Sequence, residues 1–268
     1  MEITVRRGQT LSQLAQQYGT TWQNLAQMNG ITDPRRLQAG QTLTVPDQFD
    51  GGLSETQRRT TDGDGFVDRR AEPPNVSSVT SNGRQYPASA DGTPLFRQGD
   101  PEWGGRTLGR RWTIGQSGCA MTAAAMALSK ISGRTMNPGE LDRYLDRNGG
   151  YSGDALNWDV AARAFGLNAT RPTFSLDAIN RQIDAGRPVV VGVDYKDGSR
   201  GGANGTDHWV TITGRERDAQ GRSTYLANDP ATGRQFRFRE ENGRLVSDYV
   251  SPRTGRPYTT TRTLITFG

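Results

Sequence analysis

The sequence predicts an α+β protein in three parts: a small strand–helix–helix–strand (βααβ) module over residues 1–47, a flexible linker over 48–93, and a larger unit over 94–268 in which helices pack on an antiparallel sheet. Three observations predict it. Apolar residues recur with helical spacing between two short alternating runs, fade through a polar stretch, then return as helices followed by strands. Glycines stand where the helical patterns stop. The apolar share is only 32%, and reaches roughly the 45–50% of globular chains when the 34 glycines are added, so there is material for a core but not in every segment.

In the first part, "EITVRRG" alternates Ile3 and Val5 as a short strand. "TLSQLAQQYG" sets Leu11, Leu14, Ala15 and Tyr18 on one helical face and stops at Gly19. "TTWQNLAQMNG" repeats the device with Trp22, Leu25, Ala26 and Met28 inward, and "QTLTVP" returns as a strand carrying Leu43 and Val45. So small a unit is only marginally able to bury a core, which makes each of these positions necessary. The run from residue 5 to 46 resembles a LysM module: a strand into Gly-x-Thr-Leu, the Leu-Ala-x-x-Tyr-Gly helix, Leu-x-x-x-Asn, and a closing Leu-x-x-Gly-Gln-x-Leu-x-Val-Pro. That resemblance implies binding of peptidoglycan, chitin or another N-acetylglucosamine glycan in a shallow groove between Gly8-Gln9-Thr10-Leu11 and Asn29-Gly30-Ile31. Gln9 departs from the acidic residue that many members carry there. Thr10 and Asn29 also read as helix-cap and turn residues, and a groove built from backbone allows both roles.

Residues 48–93 are rich in Gly, Pro, Ser, Thr and Asp and cannot bury enough surface to offset their ordering entropy. As a flexible coil they would span about 35–40 Å. Within them "DGDGFVD" carries Asp62, Asp64 and Asp68, but Thr60 holds the first position of the corresponding calcium loop and no glutamate closes it, which favours a solvated turn.

In the third part a helix starts near Cys119. "NPGELDRYLDRN" offers Asn137 as N-cap, Pro138 at the first position and Glu140 to complete a capping box. "DALNWDVAARAFG" and "SLDAINRQIDAG" are amphipathic helices closed by Gly166 and Gly186. "RPVVVGVDY", "HWVTITG", "STYLAND", "QFRFRE" and "TRTLITF" then read as strands separated by turns. The glycine-rich stretch "KDGSRGGANGTD" lacks a Gly-Lys-Ser/Thr ending, so it is no phosphate loop, and a surface loop is favoured over a lid.

The chemistry rests on two rarities, the only cysteine, Cys119, and the only histidine, His208. Ser117 or Gly118 caps the helix, so Cys119 sits in its first turn, where unpaired N–H groups favour a thiolate. That placement alone also suits a small core residue. His208 starts a strand whose partner lies across the polar turn "RERDAQGR". A turn near residues 218–220 makes facing residue numbers sum to about 437–440, so His208 falls opposite Asn228-Asp229-Pro230. An imidazole held by a carboxylate is the base–orienter half of a nucleophilic set, and equally a satisfied structural pair.

A helix-start Cys, a strand-start His and a carboxylate one hairpin later resemble the papain-like cysteine peptidases. More closely, Gln-x-Asp-x-x-Trp from Gln98, Gly-Cys-x-x-Thr-x-x-Ala-Met, Gly-Arg-Pro-Val, His-Trp-Val and Asn-Asp-Pro resemble the C39-like peptidase family over residues 94–268. The resemblance implies Cys119 as nucleophile, His208 as general base and acid, and Asp229 as orienter, with Asn228 a second candidate for the last role. It also implies a glutamine donor to the oxyanion. Gln98 carries the family motif, and Gln116, only three residues before Cys119, is spaced too closely to be preferred.

Composition narrows the rest. The net charge is +5, with 33 basic residues scattered along the chain, and neither a basic stripe nor a base-stacking motif points to nucleic acid. One Cys excludes an intrachain disulfide, and one Cys with one His excludes the usual structural zinc sets, so no metal or cofactor is expected. The longest apolar run, "PVVVGV", falls short of the about 18 residues of a membrane span. "MEITVRRGQTLSQLAQ" has no signal-peptide core, so action outside the cytoplasm implies another export route. Together these features indicate a wall-targeted cysteine hydrolase acting on peptidoglycan peptides. The alternatives are an exported protein-cleaving protease or toxin, and a non-catalytic wall-binding component of a phage-tail or secretion particle.

Overall fold

In the computed structural model the chain forms two compact units, residues 1–70 and 71–268. The residues described are 2–5, 8–17, 22, 25–26, 29–33, 37–45, 77–196, 205–217 and 220–268. Among them no helix is long and apolar enough to cross a membrane.

In the N-terminal unit β1 (Glu2–Thr4) pairs antiparallel with β2 (Thr42–Thr44), Ile3 opposite Leu43. Helix α1 (Leu11–Gln17) opens with a reciprocal cap: the Gln13 N–H donates to Thr10 Oγ1 at 3.3 Å and the Thr10 N–H to Gln13 Oε1 at 2.9 Å. Val5, Leu11, Leu14, Ala15, Leu25, Ala26, Leu43 and Val45 are buried together, as their spacing predicts. Trp22 is the exception, 40% exposed. Those side chains already fill so small a core and leave an indole outside. Tyr18, Met28 and most of the second predicted helix lie outside the described residues.

The C-terminal unit starts before residue 94. Strands β3 (Ser77–Ser81) and β4 (Arg84–Ala88) form a hairpin around Asn82-Gly83, both left-handed, with φ of 50° and 76°. Tyr86 packs edge-on against Phe96 at 5.4 Å, and Ser81 Oγ accepts the Asn137 N–H at 3.0 Å. Residues 77–93 are therefore folded against the helices, and not linker as their composition suggests. Asp62, Asp64 and Asp68, with the rest of residues 48–76, lie outside the described residues, as do 197–204 of the glycine-rich loop.

Next come the small hairpin β5 (Thr107–Leu108) and β6 (Trp112–Thr113), then the short α2 (Ile114–Ser117) and α3 (Cys119–Ser132). Helix α4 (Pro138–Arg147) carries the predicted capping box between Asn137 and Glu140. After the two-residue strands β7 (Tyr151–Ser152) and β8 (Ala155–Leu156), helix α5 (Trp158–Arg163) starts later than its pattern suggests, because the Asn157 side chain caps it. Strand β9 (Ala169–Thr170) precedes α6 (Leu176–Asp184), capped by Ser175.

The remaining strands are β10 (Val189–Asp194), β11 (His208–Arg217), β12 (Ser223–Asp229), β13 (Arg234–Glu241), β14 (Arg244–Val250) and β15 (Pro257–Phe267). Each pairs antiparallel with the next, and β15 returns to β10. The expected antiparallel sheet is present and closes into a six-stranded barrel, with β9 added at the end of β15. Alternation decides the two cores. Val189, Val191, Val193, Val210 and Ile212 fill the barrel with Tyr225, Phe238 and Leu264. Val190 and Ile265 point outward and join the core under α3. Helix α6 lies at one end of the barrel, where Tyr225 Oη donates to Asn180 Oδ1 at 2.9 Å. Val193, His208 and Asp229 are at the other end.

Gly192 keeps that second end in place. A Cβ there would lie 2.6 Å from Thr206 Oγ1 and 2.7 Å from Thr261 Oγ1, two hydroxyls hydrogen-bonded to each other at 2.9 Å. Gly192→Ala is expected to cost about 1–3 kcal/mol of stability by overpacking, read as a lower urea midpoint, and to displace the segment leading into His208.

Candidate active site

Cys119 is delivered by a helix that tolerates no bulk at its start. A Cβ on Gly118 would fall 2.5 Å from the Ile114 carbonyl oxygen, so only glycine lets α2 turn into α3 here. Gly118 supplies no side-chain cap, which leaves the first-turn N–H groups available to the site. Residues 121–129 of α3 are all buried, and the small Ala123, Ala124, Ala125 and Ala127 let it lie close to the barrel. Thr211 Oγ1 donates to the Ala123 carbonyl at 3.0 Å and so ties the helix one turn beyond Cys119 to the strand that begins with His208.

His208 Nε2 lies 2.5 Å from Asp229 Oδ1, with both side chains buried. The β11–β12 register pairs Thr211 with Asn228. Continued to the strand start, it sets Asp229 diagonal to His208 and on the same face, not directly opposite as the hairpin arithmetic suggests. Diagonal neighbours on one face remain within reach of long side chains. Asp229 Oδ2 accepts the Thr232 N–H at 2.9 Å and its hydroxyl at 2.7 Å, so the carboxylate cannot swing away. The imidazole also shares a hydrogen bond with the thiol of Cys119, a half-buried residue. With Nε2 on Asp229, Nδ1 is the nitrogen left for sulfur.

The electrostatics follow from this line of three groups. Burial would push the Cys119 thiol up, but the His208 hydrogen bond and positive charge, with the Trp209 and Ala120 N–H groups, hold it below its ordinary value. Burial would also lower the imidazole, and the Asp229 charge and hydrogen bond outweigh it, pushing His208 up to about 10. The two shifts run in opposite directions, each group favouring the charged form of the other.

The other predicted residues fall as follows. Gln98 Nε2 donates to the Gly115 carbonyl at 2.9 Å, just ahead of Cys119, and its buried Oε1 has no partner. The Gln98 N–H donates to the Pro230 carbonyl at 2.8 Å, which ties this segment to the turn after Asp229. Gln116 is exposed, and its Oε1 accepts the Thr113 N–H in the capping box of α2. Asn228 faces away from His208: its Nδ2 donates to Ser89 Oγ and the Pro94 carbonyl, both at 3.1 Å, and its Oδ1 accepts from Gln235 at 3.0 Å. Strand alternation thus gives Asp229 to the site and Asn228 to the scaffold.

Sequence reading did not single out Tyr195 and Tyr258, whose rings lie 6.3 and 5.5 Å from His208, nor Thr232. The Asp-x-x-Thr spacing was the available signal for Thr232, since an aspartate commonly accepts hydrogen bonds from residues two or three places on.

In the N-terminal unit Gly8, Thr10 and Gly30 are exposed and Gln9, Asn29 and Ile31 half-buried, whereas the Leu11 side chain belongs to the core. Asn29 bridges the second helical segment and β2. Its Nδ2 donates to the Leu25 and Thr44 carbonyls at 2.8 and 2.7 Å, and its Oδ1 accepts the Thr44 N–H at 2.6 Å.

Residues 3–46 match the LysM domain family, and residues 92–244 match the Peptidase_C39 like family. A solved Bacillus anthracis chain described as a C39-like peptidase is 16% identical, with a TM-score of 0.35, covering 64% of this chain and 95% of that one. Among curated proteins none matches. The second family match spans more than half of the sequence, so the chain belongs to the peptidase C39-like family and carries a LysM domain at its N-terminus.

Proposed function

We propose that this protein is a cell-wall hydrolase that cleaves amide bonds in peptidoglycan peptides, with Cys119 as nucleophile. One observation carries the reading: the thiol of Cys119, a half-buried residue at a helix N-terminus, shares a hydrogen bond with an imidazole fixed by a fully bonded carboxylate. A merely structural His–Asp pair needs no thiolate beside it. The LysM domain supports a wall glycan as the surface to which the chemistry is brought.

In this mechanism the Cys119 thiolate attacks the scissile carbonyl carbon, and the carbonyl electrons move onto oxygen. The backbone N–H of Cys119 and the second N–H of Gln98 Nε2, whose first is spent on Gly115, meet that oxyanion. Collapse breaks the C–N bond while His208 passes its proton to the leaving amine. The thioester that remains is opened by water, which gives its proton to His208 and expels the thiolate. Asp229 and Thr232 keep the ring oriented throughout.

Digestion of purified peptidoglycan tests this reading, with soluble products read by mass spectrometry and iodoacetamide-treated protein as the control. The untreated protein is expected to release peptide fragments ending in a new carboxylate, and the alkylated protein none. Equal release by both would remove Cys119 from the mechanism, and no release by either would remove the wall peptide as substrate.

A further inference from the structure

We propose that the barrel rim beside His208, formed by Tyr195, Lys196 and Arg253, is a subsite for a carboxylate carried by the amino acid on the amine side of the scissile bond. It rests on the hydrolase reading above. The leaving amine must reach the imidazole, because it takes its proton there. Whatever stands beside His208 on the solvent side therefore meets the leaving amino acid.

Three features build that rim. Tyr195, half-buried, stands edge-on to His208 with ring centroids 6.3 Å apart and packs on Tyr258 at 5.0 Å. Lys196 holds its ammonium 5.4 Å from the Tyr195 ring centre. The loop between β14 and β15 docks on the same two residues: the Arg256 guanidinium donates to the Lys196 carbonyl, and the loop is closed by hydrogen bonds from the Ser251 N–H to Arg256 and from the Gly255 N–H to Ser251, at 2.9 and 2.8 Å. Arg253 projects from this fixed loop. It is exposed, and its charge acts on the Tyr195 hydroxyl.

The charge balance singles out Arg253. Two carboxyls lie beneath the rim, Asp207, nearly fully buried, and Asp194, half-buried. Lys196 Nζ is 4.0 Å from Asp207 Oδ1, and Arg256 acts on Asp194. Burial and the neighbouring Asp207 hold the Asp194 carboxyl above its ordinary range. Arg253 forms no ion pair with any of the described residues. A guanidinium of this kind takes a carboxylate through two parallel hydrogen bonds, and the Tyr195 ring supports the carbon chain between that carboxylate and the reacting amine.

The test uses the peptide cut in the wall digest, synthesised with the leaving residue's carboxylate free or as its carboxamide. Wild-type protein is expected to favour the free carboxylate about tenfold in kcat/KM at low salt, and less in 0.5 M salt, where an exposed pair is screened. Arg253→Gln should bring the ratio near one, and Arg253→Glu should reverse it. Equal cleavage of both peptides by the wild type, or a preference that persists in Arg253→Glu, overturns the subsite alone. A wild type that cuts the wall but neither peptide overturns the subsite, and one that releases nothing from the wall overturns the hydrolase reading and the subsite together.

Discussion

Cys119→Ala is expected to lower hydrolysis of wall peptides about 10⁴–10⁶-fold while the protein still sediments with peptidoglycan. The size follows from what is lost. No other thiol exists in the chain to replace the nucleophile, and the residual rate is that of water positioned near an oxyanion site. Fold and wall binding should persist, because Cys119 lies on the first turn of α3 and is partly exposed, outside the buried run that begins at Met121. Single-turnover digestion beside a pull-down with insoluble wall separates the two effects. A variant retaining more than about one part in a hundred of the wild-type rate would mean that another group attacks the carbonyl, since removing a nucleophile costs far more than that.

Asp229→Ala is the second large effect, a fall in kcat of about 10⁴-fold, the size of loss when an orienting carboxylate is removed. It should come with a change in pH dependence that loss of folding cannot mimic. The wild-type alkaline limb is expected near the imidazole value of about 10, which Asp229 does most to raise against burial, with Cys119 adding to it. Without that carboxylate burial prevails, the limb moves toward neutral pH, and the thiol rises as its positive partner disappears. The stability linkage has the same origin. A His raised in the folded state contributes stability that is complete below its unfolded value of about 6.5 and is lost as pH climbs through 10. The variant should therefore lose most stability below neutral pH. It also strands the Thr232 N–H and hydroxyl, at about 1–3 kcal/mol for the pair. Asp229→Asn should recover part of kcat, limited because one edge of the amide must still accept both Thr232 donors. An alkaline limb that does not move in Asp229→Ala would remove Asp229 from the orienting role.

How much of this was legible differs from element to element, for physical reasons. Cys119 and His208 stand out because each residue type occurs once and each opens a regular element. Asp229 was reachable through hairpin arithmetic, although the true register makes the contact diagonal. Asn228 could not be separated from it by sequence, because alternation assigns opposite faces only once the inward face is known. The β3–β4 hairpin was readable from Asn82-Gly83, the strongest short turn signal, but sat in a polar stretch that reads as linker. Strand β14 went unseen because Ser247 interrupts its inward row between Leu245 and Tyr249. Barrel closure depends on β15 finding β10 across some seventy residues, a pairing with no local signature.

That closure also bears on how the site would fail. Open sheets lose their outer strands first, and amide hydrogens there exchange through local fraying. Strands β11 and β12, which carry His208 and Asp229, are flanked on both sides by hydrogen-bonded neighbours. With β15 bonded back to β10, neither can peel away alone. The His–Asp pair should therefore come apart only with the barrel as a whole, so that partial denaturation leaves intact and inactive molecules with few half-functional ones between them.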